Sequence, residues 1–222
     1  MDSDQMLSVL RGRVGDEVVK TLGRSAEQGF LGRMPVGEQI DHSLGFVMAV
    51  EGALGRPPSS VVDLGTGGGV PGLVLHSCWP ECRLVLMDGN QRRTEFLASE
   101  VESWGHNLAI EVVRGRVEEL ARDDRFRAQF DVVTARSFGP PAVTVECGAP
   151  LCRPGGVMVV SEPPGVAADR RWPVEGLALV GLISHSRVRF DDRFGYQVLV
   201  KSEMTPERYP RRVGIPAKRP LF

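Results

Sequence analysis

The chain has 222 residues, 42% hydrophobic and 25% charged, with 27 Lys and Arg against 28 Asp and Glu; such a chain is an ordinary soluble globular protein, long enough to bury about 70% of its unfolded surface without disulfide staples. Its 26 Gly and 16 Pro stay below the roughly 25–30% of a low-complexity chain, which excludes wholesale disorder. The opening MDSDQMLSVLRGRVGDEVV lacks the basic start and apolar core of a signal peptide, and the longest apolar stretch, Leu177 to Ile183, is far short of about 18 residues, so a cytoplasmic protein with no membrane partner is expected.

Residues 1–55 carry helical periodicities, Met6, Leu7, Leu10, Val14 and Val18 and then Leu44, Phe46, Val47, Val50 and Leu54, without strand-like alternation. They are read as a helical N-terminal cap. Residues 56–205 follow as the main domain. After Arg56-Pro57-Pro58 strand and helix patterns alternate: SVVDLG, a glycine loop, a short helix to Cys78, RLVLMD, a helix from Gln91 to Trp104, AIEVVRG, helical VEELARDD, FDVVTAR, a helix from Pro141 to Leu151, and GGVMVVSE. Apolar runs joined by helices require crossover connections and a mostly parallel sheet covered on both faces. ALVGLISHSRVRF and GYQVLVKS, joined by the turn-like DDRFG, read as an antiparallel hairpin at one edge, making seven strands in all. The Pro-rich SEPPG and RWP segments read as loops over the site face.

Residues 206–222 form a basic, Pro-rich tail, with Arg208, Arg211, Arg212, Lys218 and Arg219 against Glu207 alone. Prolines at 206, 210, 216 and 220 suggest an extended segment, with Arg211, Arg212, Lys218 and Arg219 placed to track a phosphate backbone; a solvated terminus is the plainer reading. Cys78, Cys82, Cys147 and Cys152 are read as reduced thiols, and no metal site is expected.

The most informative stretch is Asp63-Leu64-Gly65-Thr66-Gly67-Gly68-Gly69-Val70-Pro71-Gly72. Glycine permits positive φ and lets a ligand approach the main chain, and the crevice at the end of the first strand of an open α/β sheet is where ligands bind. Gly67, Gly69 and Gly72 satisfy the dinucleotide pattern GxGxxG, with Asp88 as a ribose acid. The tighter Gly65, Gly67, Gly69 pattern preceded by Asp63 suits S-adenosylmethionine better. That cofactor carries an ammonium and a sulfonium but no phosphate, so a nearby carboxylate attracts it, while Asp88 takes the ribose hydroxyls. Asp63 and Asp88 also have plainer readings, a turn cap and a loop-opening acid. Too little chain follows Ser161 for the substrate domain of a dehydrogenase.

With DLGTGGGVPG, LMDGNQRRTEFL, VVRGRVEEL, DVVTARSF, LCRPGG and ERYPRRVGIPAKRPL, the sequence resembles the glucose-inhibited division protein B family over roughly residues 38–222. The resemblance implies a Rossmann-like class I methyltransferase that methylates guanine N7 of small-subunit (16S) ribosomal RNA. It also implies Gly65 and Val70 at the amino-acid end of the cofactor, Val117 and Glu118 at the adenine, and Arg136 between cofactor and target base. The chain departs from the family pattern at Glu38-Gln39-Ile40-Asp41-His42, where an Arg-His pair is usual. It departs again at Ser161-Glu162-Pro163-Pro164, where a Lys-Gly is usual. These departures keep two alternatives open, a diverged methyltransferase for a small molecule or another RNA, and a non-catalytic RNA-binding relative.

Guanine N7 offers an in-plane lone pair and loses no proton, so its methylation needs alignment and no general base. Arg136, at the end of FDVVTAR, is the expected catalytic side chain, its planar fork suited to guanine O6 or a phosphate. His42 and His106 are weaker candidates as bases, and Trp79 and Trp104 read as packing residues. A monomer is expected.

Overall fold

β1, Ser60–Leu64, lies at the centre of a seven-stranded sheet of order β3-β2-β1-β4-β5-β7-β6, in a computed structural model that describes residues 3–105, 108–163, 171–190 and 193–222. The remaining members are β2 (Arg83–Asp88), β3 (Ile110–Arg114), β4 (Phe130–Ala135), β5 (Cys152–Glu162), β6 (Leu182–Phe190) and β7 (Phe194–Lys201). β1 to β5 pair in parallel, and β7 enters antiparallel between β5 and β6, so the sheet is mostly parallel with the expected antiparallel edge hairpin. His106, Pro164 in the SEPPG loop, and the Asp191-Asp192 half of the hairpin turn lie outside the described residues.

Period-two alternation divides the apolar side chains between the two faces of the sheet. Val61, Leu84 and Leu86 join one cluster with the first three helices, α1 (Ser3–Arg11), α2 (Asp16–Glu27) and α3 (Val36–Leu54), and with α4 (Gly72–Cys78). Val62, Leu64, Val85 and Met87 join the other with Val145, Cys147 and Leu177. These last come from α7 (Pro141–Gly148) and α8 (Val174–Ala178). Among the described residues no helix is long and apolar enough to cross a membrane.

The N-terminal helices are tied into the sheet layer. Tyr196 on β7 donates its hydroxyl to the His42 carbonyl at 2.6 Å, Ser25 donates to the Gly68 carbonyl at 3.0 Å, and Arg24 and Thr21 bond Glu100 on α5 (Gln91–Ser103). α3 ends at Gly55, whose φ of 68° is the left-handed cap that glycine adopts freely. The helix expected over VEELARDD is a single turn, α6 (Val117–Leu120). The one expected from Pro141 to Leu151 stops at Gly148, just before Pro150, which cannot donate into a helix.

The tail is not the extended segment that its prolines suggest. Tyr209 and Pro216 are buried, Leu221 packs on the second cluster, and Ile215–Lys218 forms a short helix, α9. Arg122 donates to the Pro210 carbonyl at 2.9 Å, and Arg127 donates to the carbonyls of Tyr209 at 3.0 Å and Thr205 at 2.8 Å. Burial of these apolar side chains, together with the latched carbonyls, outweighs the stiffness of the prolines.

Candidate active site

Along the carboxyl ends of β1, β2, β4 and β5 runs a trough of adjoining cavities, the position expected for ligands in an open α/β sheet. Its floor is the loop after β1, where Gly65 and Gly67 take φ of 62° and 58°. At Gly65 a Cβ would lie 2.9 Å from Cδ2 of Phe138, so the position requires glycine for space as well as for conformation.

A cavity of about 300 Å³ is bordered by Gly65, Asp88, Arg116, Val117, Glu118, Phe138, Cys147 and Ala217. Asp88 ends β2 with its carboxylate fixed: Oδ2 accepts the Gly67 N–H at 2.9 Å and Oδ1 the Asn90 N–H at 2.8 Å. Glu118 is buried and accepts from Arg116 Nη2 at 3.0 Å and from the Gly214 N–H at 3.1 Å. Burial alone pushes its carboxyl up, but these donors outweigh it and hold the group below the usual carboxylate range. The Cys147 thiol is pushed up to about 12 by burial, with Glu118 and Glu146 adding to it, which makes it inert as a nucleophile.

A second cavity, about 250 Å³, is bordered by Phe30, Leu31, Gln39, Gly65, Thr66, Gly67, Val70, Arg93, Arg136 and Ser137. Arg136, leaving β4, bonds Gln39 Oε1 through Nη2, while its buried Nη1 has no acceptor among the described residues. A third, about 390 Å³, opens beyond Ser137 and Phe138 and is bordered by Met34, His42, Glu162, Arg171, Trp172 and Phe194.

The expected site residues therefore gather in part. Gly65, Thr66, Gly67, Val70 and Arg136 border the second cavity, and Asp88, Val117 and Glu118 the first. Asp63 and Gly69 border none of the three. Asp63 is fully buried, its Oδ2 accepting the Gly72 N–H at 3.1 Å and its Oδ1 the Thr134 hydroxyl at 2.8 Å, and burial pushes its pKa up to about 6. Its carboxylate thus fastens the glycine loop and the start of α4. Gly69 faces Leu73 and Leu97 in the core.

His42 is pushed down to about 3 by burial, with Arg136 adding to it, so at neutral pH it is an uncharged ring and a poor general base. Trp79 is buried and donates to Glu51 at 2.9 Å. In the tail, Arg212, Lys218 and Arg219 are exposed, whereas Arg211 is committed to the buried Glu146, with Nε–Oε1 at 2.8 Å and Nη2–Oε2 at 2.6 Å. The tail also reaches the first cavity, through Ala217 and through the Gly214 bond to Glu118.

Gln39, Phe138 and Arg116 border the trough although no role was expected of them, whereas Arg171 and Trp172 come from the RWP segment that was expected over the site face. Phe138, two residues after Arg136 in the same loop, was the one with a local signal. Among the described residues no group of three or more His, Cys, Asp or Glu side chains is placed to hold a metal.

The family model of the rRNA small subunit methyltransferase G, GidB, matches residues 39–162. A protein of Rubrobacter xylanophilus named ribosomal RNA small subunit methyltransferase G is 36% identical over 174 residues, 75% of this chain and 66% of that protein. One of the same name from Syntrophomonas wolfei is 35% identical over 168 residues, 73% of this chain and 77% of that protein. Among solved structures, cofactor-bound Rv0187 from MTB superposes with a TM-score of 0.58 at 17% identity, covering 85% of this chain and 91% of that one. A T. Thermophilus 16S rRNA N2 methyltransferase in complex with AdoMet and guanosine does so with a TM-score of 0.50 at 17% identity, covering 73% of this chain and 41% of that one. At such identities the likeness is one of fold.

Proposed function

The chain belongs to the family of the rRNA small subunit methyltransferases G, and from that premise we propose that it transfers a methyl group from S-adenosylmethionine to guanine N7 of 16S ribosomal RNA. The observation that carries the reading is the continuity of the trough. Phe138 borders both the cavity of Asp88 and Glu118 and the cleft of Trp172, and Ser137 borders that cleft and the cavity of Arg136.

The residues present fit the cofactor. Asp88, held by two backbone donors, keeps lone pairs for ribose hydroxyls, and Val117 with Glu118 forms a half-apolar slot for the adenine. The loop from Gly65 to Val70 admits the amino-acid end, where the Arg136 Nη1 lacks an acceptor that a carboxylate or a guanine oxygen would supply. When bound, the cofactor supplies an electrophilic methyl group on sulfur.

The chain's own contribution is alignment. Gln39 fixes the Arg136 guanidinium, Arg136 orients the acceptor, and the Phe138 ring divides the two halves of the trough. Holding an in-line nucleophile about 3–3.5 Å from its target supplies roughly 7–11 kcal/mol through proximity, and N7 gives up no proton, so the neutral His42 and the inert Cys147 thiol are no obstacle. Exposed Arg212, Lys218 and Arg219 would follow phosphates, with the small ribosomal subunit as partner and the cytoplasm as the place of work.

The test is transfer of tritiated methyl from S-adenosylmethionine into naked ribosomal RNA, intact small subunits and a metabolite extract, with nucleoside digestion of any labelled RNA. Label in 7-methylguanosine is expected. Label confined to the extract would make the acceptor a small molecule, and cofactor binding without any transfer would mark a non-catalytic relative.

A further inference from the structure

The cleft beyond Ser137 and Phe138 is walled by aromatic rings. Phe138, Trp172 and Phe194 border it, and the His42 imidazole stacks on Phe194 with centroids 4.5 Å apart and planes 7° apart. Its volume of about 390 Å³ lies in the range of small-ligand sites, roughly 300–1,000 Å³. An enzyme that modifies a base within RNA must take it out of its stack, replacing the lost contacts with new stacking and with hydrogen bonds to the base edge. Stacking alone tolerates any base, because every base has a π-face.

Besides His42, Ser137, Ser161 and Arg193, the cleft is bordered by two side chains that can only donate, Arg171 and Trp172. Glu162, the acid closing β5, has a side chain only 1% exposed and grips Arg171 through Nε–Oε2 at 2.8 Å and Nη2–Oε1 at 3.3 Å. The acid therefore does not confront the acceptor as a free anion. It holds a guanidinium that is 32% exposed at the border of the cleft, so the residue that departs from the family pattern anchors a cation in its place. Trp172, the next residue, is 3% exposed, and its indole Nε1 finds no acceptor among the described residues. Guanidinium and indole both donate and neither accepts. Guanine carries the acceptor O6 beside N7, whereas adenine carries an amino group there. A buried donor without a partner is unfavourable until an acceptor arrives, so O6 of the first base suits these two donors and the amino group of the second sets donor against donor.

We infer that this cleft is the acceptor-base subsite, where Arg171, positioned by Glu162, and the Trp172 indole N–H select guanine by donating to its O6 while Phe138, Trp172 and Phe194 enclose the extruded ring. The assignment rests on the proposed methyl transfer to RNA and deepens it by naming the residues that read the base.

The test uses the full chain, S-adenosylmethionine and the small-subunit RNA in the form that the wild type methylates. Arg171→Met and Trp172→Phe, the latter keeping the aromatic ring, should each lower kcat/KM for RNA about tenfold or more, mainly through KM, with cofactor affinity within about twofold. Glu162→Gln, which leaves Arg171 present but loosens its anchor, should show a smaller loss of the same kind. Unchanged kcat/KM in folded Arg171→Met and Trp172→Phe overturns the assignment. Should the variants fail to fold, the wild type is photo-crosslinked to small-subunit RNA carrying 6-thioguanosine. Adducts at Phe138, Trp172 or Phe194 support the subsite, and adducts only elsewhere overturn it. A wild type that methylates no RNA overturns the RNA reading itself, before any variant is compared, and the subsite falls with it.

Discussion

The backbone N–H of Gly67 donates to Oδ2 of Asp88 across 2.9 Å, so the acid that ends β2 holds the glycine loop that ends β1. Asp88→Ala removes both the expected ribose acceptor and that brace. Losing a charge-assisted bond in a site closed to water costs about 1.5–3 kcal/mol, so cofactor affinity should fall roughly ten- to a hundredfold. Asp88→Asn, with one acceptor oxygen left, should lose less. Calorimetry finding wild-type affinity in a folded Asp88→Ala protein would remove Asp88 from the pocket.

Gly65→Ala should injure both halves of the trough together. An L-residue in the left-handed region costs about 1–2 kcal/mol, which for a chain of this length lowers Tm by roughly 2–8 °C. The new Cβ also presses on the Phe138 ring, which borders both the first cavity and the acceptor cleft. Cofactor Kd and the KM for the acceptor should therefore rise in the same variant. A loss of stability with both constants unchanged would show that the ring yields without consequence.

Arg136→Ala should lower the single-turnover rate far more than it weakens equilibrium cofactor binding, because the proposed function gives Arg136, which borders the cavity of the glycine loop, the role of orienting the acceptor. Gln39→Ala should reproduce a milder form of the defect, since it frees the guanidinium without deleting it. Equal losses of rate and affinity in Arg136→Ala would instead make it a cofactor-binding residue.

The parts of this site that were legible are those in which chemistry and position coincide in one short stretch. SVVDL followed by glycines announces a buried strand opening into a ligand loop, RLVLMD announces a second acid beside it, and FDVVTAR delivers an arginine to the same edge. Gln39 meets Arg136 across 97 positions and Arg211 meets Glu146 across 65, and nothing local in either partner announces the other. The tail misled for the same reason. Four prolines and five basic residues describe a solvated strand only until Arg122 and Arg127 are found holding its carbonyls. Glu162 likewise read only as a departure from the family pattern, because its partner Arg171 is set by tertiary packing.

Acid stability should depend on Asp131, at the far end of the sheet from the trough. Burial pushes its pKa up, but the Ser59 N–H at 2.7 Å, the Ser59 hydroxyl at 2.6 Å and the Arg153 guanidinium outweigh it and bring the group down to about 2. A carboxylate depressed in the folded state stabilises above its unfolded pKa, near 3.8, and that contribution is lost as pH falls through about 2. Asp131→Asn should lower stability at neutral pH and flatten its decline between about pH 4 and 2. Denaturant titrations that run parallel to the wild type across that window would remove Asp131 as the acid-sensitive group.

The tail's basic residues should divide into two kinds. Arg211 neutralises Glu146, whose side chain is fully buried, and removing one partner of a buried pair typically costs about 3–5 kcal/mol. Arg211→Ala should therefore destabilise the protein strongly, and through the docked tail that borders the first cavity it should weaken cofactor binding as well. Arg212, Lys218 and Arg219 are exposed, so their joint replacement by alanine should leave melting and cofactor affinity nearly unchanged. If all three neutralise phosphates, that triple variant flattens the plot of log affinity for RNA against log salt by about 2–3 units. RNA titrations at several salt concentrations decide between the roles. A slope unchanged in the triple variant would mean that the exposed charges only keep the end of the chain solvated, and that the tail serves the enzyme solely by closing the cofactor pocket.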